Sequence, residues 1–195
     1  ALLDDRGRIV WLCGPRIDSP AQCAQLLDTP AAGFFEVTAL DAPTPTVRYL
    51  EGSFVAVTDW GRARVTDYFD VSGARARAPA GRSTLVRVLE GTGTMKITFA
   101  PRPDFGRGPG PSGPDLRCGD LWLEVGGGAA PGLDWQVEAG VATALVELNA
   151  EPIELRLHIG PPATPVARGD RLGRLEESLA YWRGWAAGLS LPTSH

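Results

Sequence analysis

The sequence predicts a mainly β protein, an antiparallel sandwich or barrel, on three observations. Apolar and polar residues alternate through many short runs enriched in β-branched and aromatic side chains. Turns rich in Gly and Pro separate those runs. Helical patterns do not alternate with the strands, which argues against a βαβ arrangement.

In chain order the alternation marks strands near residues 9–13, 34–40, 46–50, 53–60, 62–69, 84–90, 94–100, 121–125, 133–138, 141–148 and 153–159. The last is the clearest. Ile153, Leu155, Leu157 and Ile159 fall on one face and Glu154, Arg156 and His158 on the other, so one side should be core and the other wet. Trp60-Gly61 and Glu90-Gly-Thr-Gly93 lie between strand patterns and read as hairpin turns. Longer Gly/Pro-rich connections, read as loops, occupy 71–82, 101–114, 126–132 and 160–169. No repeat with a period of 20 to 50 residues is present.

Two helices are predicted. In Ser19-Pro20-Ala21-Gln22 a serine can cap, a proline sits at the first helical position, and a glutamine stands at the capping-box position, so a short helix should run near residues 20–27. The second follows Gly169-Asp170, with Leu172, Leu175, Leu179, Trp182 and Ala186 at spacings of three and four, and ends near Gly188. The domain reading is therefore a β-sandwich over 1–168 and a linker helix over 169–188, whose apolar stripe of Leu172, Leu175, Leu179 and Trp182 is the expected domain interface.

Composition excludes several functions. The chain has 195 residues, 44% hydrophobic, enough to bury roughly 70% of the surface its unfolded form exposes without disulfide or metal support. Its net charge of -4 argues against nucleic acid as a partner. No apolar run approaches the ~20 residues that a membrane helix needs. The first residues lack a basic region followed by an apolar run, so no secretory signal is expected here. Three cysteines, Cys13, Cys23 and Cys118, cannot all pair, which favours a reduced, cytoplasmic setting. With two histidines in the chain, neither a clustered zinc site nor any other cofactor is expected.

Catalytic patterns are weak. Glu176 and Glu177 stand about 100° apart on a helix and read as a solvated face, with Arg174 beside Glu177. Asp4 and Asp5 read as turn residues. No serine has the G-x-S-x-G setting, His158 alternates onto the polar face of its strand, and Gly126-Gly127-Gly128 is followed by another strand and not by an anion-binding helix. The arginines between 62 and 87 read as a solvated sheet face and loop. The remaining constellation is the turn at 14–19. There Arg16 and Asp18 flank Ile17 between two prolines, and they could bind sugar hydroxyls as complementary donor and acceptor or pair with each other to hold the turn.

The run Asp5-Arg-Gly-Arg-Ile-Val-Trp-Leu-Cys-Gly-Pro-Arg-Ile-Asp-Ser-Pro20, with Gln25-Leu-Leu-Asp28 and Gly33-Phe-Phe35, resembles the start of bacterial proteins of glycoside hydrolase family 15, the glucoamylase and trehalase family. Arg48-Tyr-Leu-Glu-Gly52, Val65-Thr-Asp-Tyr-Phe69, Arg87-Val-Leu-Glu-Gly91 and Pro101-Arg-Pro-Asp-Phe-Gly-Arg107 continue the resemblance over most of residues 1–185. Ile17 departs from it where Phe is usual, as does Gly14 where a larger apolar residue is common.

The resemblance implies an N-terminal super-β-sandwich, a linker helix, and then an α/α-barrel that performs inverting hydrolysis of α-glucosidic bonds and holds both catalytic glutamates. On that basis the chain is expected to be a non-catalytic domain that supports and borders a barrel in the same polypeptide, with Arg16 and Asp18 near its sugar site. The alternative is an independent carbohydrate-binding or protein-interaction sandwich.

Overall fold

The computed structural model describes residues 1–72, 81–113, 116–127, 132–149, 151–161 and 171–189. Two antiparallel sheets face each other. The first contains β1 (Leu2–Leu3), β2 (Ile9–Cys13), β4 (Phe34–Ala39), β9 (Gly93–Ala100), β12 (Val141–Leu148) and β11 (Gln136–Glu138) in that order, with β3 (Ala21–Cys23) paired to β2. The second runs β10 (Leu121–Gly127), β13 (Ile153–Ile159), β8 (Ser83–Gly91), β7 (Ala63–Phe69), β6 (Ala56–Asp59) and β5 (Thr46–Tyr49). A helix, α1 (Arg171–Ala187), follows. The predicted β-sandwich is therefore the observed fold.

Period-two alternation fixes what lies between the sheets. Phe35, Val37, Met95, Ile97 and Phe99 from the first sheet meet Val65, Leu85, Leu89, Leu155 and Leu157 from the second, all buried in one cluster. Phe35 and Phe99 stand edge to face at 5.1 Å, an arrangement that adds to their area burial. Glu90-Gly-Thr-Gly93, expected as a hairpin turn, instead carries the chain from one sheet to the other, because β8 pairs with β7 and β13 whereas β9 pairs with β4 and β12. Gly91 there has φ +112° and lies so close to the chain that a Cβ would fall 2.1 Å from the Arg62 carbonyl oxygen.

The helix predicted near 20–27 is not formed. Ala21–Cys23 is a strand, with Leu12 opposite Cys23 and Cys13 opposite Ala21, and the helical structure within the expected range is a 3-10 turn at Gln25–Leu27, followed by another at Pro30–Ala32. The capping box is taken apart by other partners: Ser19 Oγ accepts from the Arg16 N–H, while the Gln22 amide donates to the Gly14 and Pro20 carbonyls. Burial of Ala21, Gln22 and Cys23 outweighs a cap that favours the helix by only about 1 kcal/mol. The strand expected at 133–138 is restricted to Gln136–Glu138, and that expected at 53–60 to Ala56–Asp59. Of the expected loops, residues 73–80, 114, 128–131 and 162–169 lie outside the described residues, as does the expected cap Asp170; β10 itself continues to Gly127.

The polar face of β13 is not wet. Glu154 is 1% exposed, where Arg156 and Arg174 reach its Oε2. Arg174 is thereby turned inward from the solvated helix face expected for it. Among the described residues no helix is long and apolar enough to cross a membrane.

All three cysteines are unpaired. Burial pushes the Cys23 thiol up to about 12 and that of Cys118 up to about 11, whereas Cys13 is half-buried at the sheet margin. Thiolate is the reactive form, so an aromatic disulfide reagent at pH 8 should label Cys13 alone in the native protein and all three after denaturation. Rapid native labelling of two or more thiols would contradict this placement.

Candidate functional site

Where β1 and β2 part from β5 to β7, the sandwich opens into an apolar cavity of about 400 Å³. Leu3 and Ile9 line it from the first sheet, Tyr49 and Phe54 from β5 and the turn after it, Ile17 from the turn after β2, and Trp182 from α1. The turn at 14–19 and the C-terminal helix, distant in sequence, thus share one rim.

The turn is held locally. Ser19 N–H donates to the Arg16 carbonyl at 3.1 Å, and Gln22 ties the Gly14 carbonyl to β3. A side chain at position 14 would meet Ile159 Cγ2 at 2.4 Å, which accounts for the glycine there. Arg16 and Asp18 pair with each other: Nε donates to Oδ1 at 2.8 Å and Nη2 to Oδ2 at 2.6 Å, both side chains being more than 60% exposed. The hydrogen bond and charge of Arg16 hold the Asp18 carboxyl below its ordinary value. Ile17, between them, projects into solvent at 95% exposure.

Helix α1 divides its apolar residues between two jobs. Leu175 and Leu179 pack on the outer face of the second sheet against Val55, Tyr68, Val86 and Val88. Ser178, fully buried between them in sequence, accepts a hydrogen bond from the Val71 N–H at 3.2 Å. Trp182 stands edge to face on Phe54 at 4.9 Å, and Trp185 lies 5.9 Å from Phe54. Leu172 belongs to the helix, but its side chain is outside the described residues. Tyr49 and Phe54, each 57% exposed, were not singled out by sequence. For Phe54 the available signal was an aromatic placed directly after Gly52-Ser53, where a turn and not a strand holds it.

Arg87 was read with the solvated arginines, and the structure places it in the centre of the sandwich with no exposure. Its guanidinium donates through Nε and Nη2 to the two Asp67 oxygens at 2.7 and 3.1 Å, through Nη1 to the Phe35 carbonyl at 2.9 Å, and through Nη2 to the Gly7 carbonyl at 2.6 Å. The register pairs Asp67 directly with Arg87 on β7 and β8, while Phe35 is on β4 of the facing sheet and Gly7 in the turn between β1 and β2. Burial raises the Asp67 carboxyl above its ordinary value against the opposing pull of Arg87.

A second polar network covers β10 and β13. Trp122 stacks on His158 at 3.8 Å, His158 Nε2 lies 2.9 Å from Glu124 Oε2, and Arg156 Nη1 lies 3.6 Å from Glu124 Oε1. Thr84 Oγ1 is 3.3 Å from His158 Nδ1. Both Glu124 oxygens are therefore engaged within the protein. General acid or base work needs an oxygen directed at substrate, and the network does not offer one at Glu124. Among the described residues no group of three His, Cys, Asp or Glu side chains could hold a metal ion.

A sequence profile of the family described as trehalase-like, N-terminal, matches residues 1–182. Two curated trehalases, from Mycobacterium tuberculosis and Mycolicibacterium smegmatis, are each 38% identical to this chain over 60 residues. That stretch is 30% of this chain and 9% of each trehalase, so the match spans a small part of the relatives' length.

Proposed function

The chain belongs to the trehalase-like N-terminal family, and from that premise we propose that it is the non-catalytic β-sandwich of a trehalase-like glycoside hydrolase, bordering a catalytic domain that follows it in the same polypeptide. The family match over residues 1–182 carries this reading. The geometry supports it in two ways. The Glu124 carboxylate is committed to His158 and Arg156, and Glu154 to Arg156 and Arg174. The cavity is lined mainly by apolar groups, which suit a packed protein surface better than a sugar, whose hydroxyls each need a hydrogen-bond partner. In this reading chemistry belongs to the following domain, an α/α-barrel by the resemblance, and the sandwich supplies a fixed wall beside it.

The purified chain should therefore turn over neither trehalose, maltose, starch nor an aryl α-glucoside, and should show no binding of these sugars by calorimetry. Turnover that disappears on substitution of a residue within this chain would refute the non-catalytic assignment. Sugar binding lost on Phe54→Ala or Trp185→Ala would instead favour the carbohydrate-binding alternative, to which the exposed rings at the rim are suited. The complete reading frame supplies the other half of the test: a hydrolase domain after residue 195 is expected.

A further inference from the structure

We propose that Ile17 is the anchor by which this domain locks onto the domain that follows α1, seating in an apolar socket of that domain, while Arg16 and Asp18 brace the anchor and do not touch sugar. This rests on the reading just given and names the contact that it requires.

Three observations carry it. Ile17 is 95% exposed on a turn fixed by hydrogen bonds between Arg16 and Ser19, so the backbone presents an aliphatic side chain that is not packed away among the described residues. Such pre-organisation lowers the entropy cost of docking. The two charges beside it neutralise each other through two short hydrogen bonds, so a socket can close over the turn without burying a net charge. Finally, Ile17 does not stand alone. Tyr49 and Phe54 share its cavity, and Trp185, 46% exposed, continues the apolar surface beyond Phe54. Contiguous apolar surface of this kind, with a polar rim, marks an interaction site.

The occupant follows from the path of the chain. Trp182, in the last turns of α1, lines the same cavity as Ile17, and Trp185 lies 6.0 Å from Trp182, so the C-terminal end of the helix approaches this surface. The relatives' 60 matched residues are 9% of their length, which makes each several times longer than this chain, and the matching family is an N-terminal one. A domain tethered at the end of α1 meets this surface at high effective concentration.

The test uses the polypeptide encoded by the complete reading frame. Scanning calorimetry should show one joint unfolding transition for sandwich and following domain, and Ile17→Asp should split it in two. Proteolytic cleavage just after α1 should accelerate roughly tenfold or more, the size of effect that loss of an interface anchor produces. Ile17→Phe should keep the joint transition. In the 195-residue chain alone, Ile17→Asp should leave the unfolding midpoint unchanged. A joint transition that survives Ile17→Asp, or a lowered midpoint in the 195-residue chain, would overturn the proposal. If a hydrolase domain follows and only the coupling result fails, the anchor is wrong and the proposed function stands; if no such domain follows, both fall.

Discussion

Replacing Arg87 with Met should lower the unfolding free energy by about 3–5 kcal/mol, the loss expected when one partner of a buried ion pair is removed. The methionine roughly fills the space of the arginine stem but leaves the Asp67 carboxylate and the Gly7 and Phe35 carbonyls without the donors described above. The deficit should depend on pH with a definite sign. Asp67 already titrates above its ordinary value, and without Arg87 it should move further up. A carboxyl whose folded value exceeds its unfolded one binds the extra proton in the folded state, so its contribution to stability falls as pH rises between the two values. The Arg87→Met penalty should therefore shrink as pH is lowered toward 4. Urea unfolding at pH 7 and pH 4.5 measures this; Asp67→Leu in the same chain should recover part of the loss at pH 7. A penalty below about 1 kcal/mol at pH 7 would place Arg87 among ordinary surface arginines.

Ending the chain at residue 170 should have the second large effect. Without α1, Val86, Val88 and Tyr68, now at most 4% exposed, lose the cover of Leu175 and Leu179. Uncovering apolar side chains costs roughly 1.5–3 kcal/mol for each one fully exposed. The bare outer face of a central sheet is also a surface on which chains associate. Light scattering should show oligomers, and the thermal midpoint should fall. Leu175→Asp with Leu179→Asp in the whole chain should reproduce the loss of stability. A truncated chain that stays monomeric with an unchanged midpoint would mean that the helix only rests on the sheet.

The sandwich was legible because strands announce themselves in consecutive residues: the alternation in Ile153–Ile159 and Phe34–Ala39 needs no knowledge of the partner strand. Ala21–Cys23 shows the opposite case. Its local sequence offers a complete capping box, and only its pairing with β2 makes it a strand. Arg87 was hidden for a related reason. Counted with its neighbours it belongs to a basic stretch, yet Leu85, Arg87 and Leu89 share one strand face, as do Val65, Asp67 and Phe69. A charge at the centre of each of two apolar faces is a signal of a buried pair, and reading by face would have found it. The turn at 14–19 was recognisable as a rigid element, but whether Arg16 and Asp18 faced each other depended on rotamers that spacing does not set.

The two sheets are interleaved along the chain: β4 waits for β9, and β5 to β8 of the opposite sheet are made in between. Arg87 adds a bond across 80 residues to Gly7. During synthesis the first strands must therefore emerge, and stay exposed, until most of the first hundred residues have followed. Contacts this distant in sequence make folding slow relative to helical domains of similar size. The first sheet is complete only with β12, which ends at Leu148, and the second only with β13, which ends at Ile159, so the sandwich should close late, with its N-terminal segment dependent on prompt release of the residues that close over it.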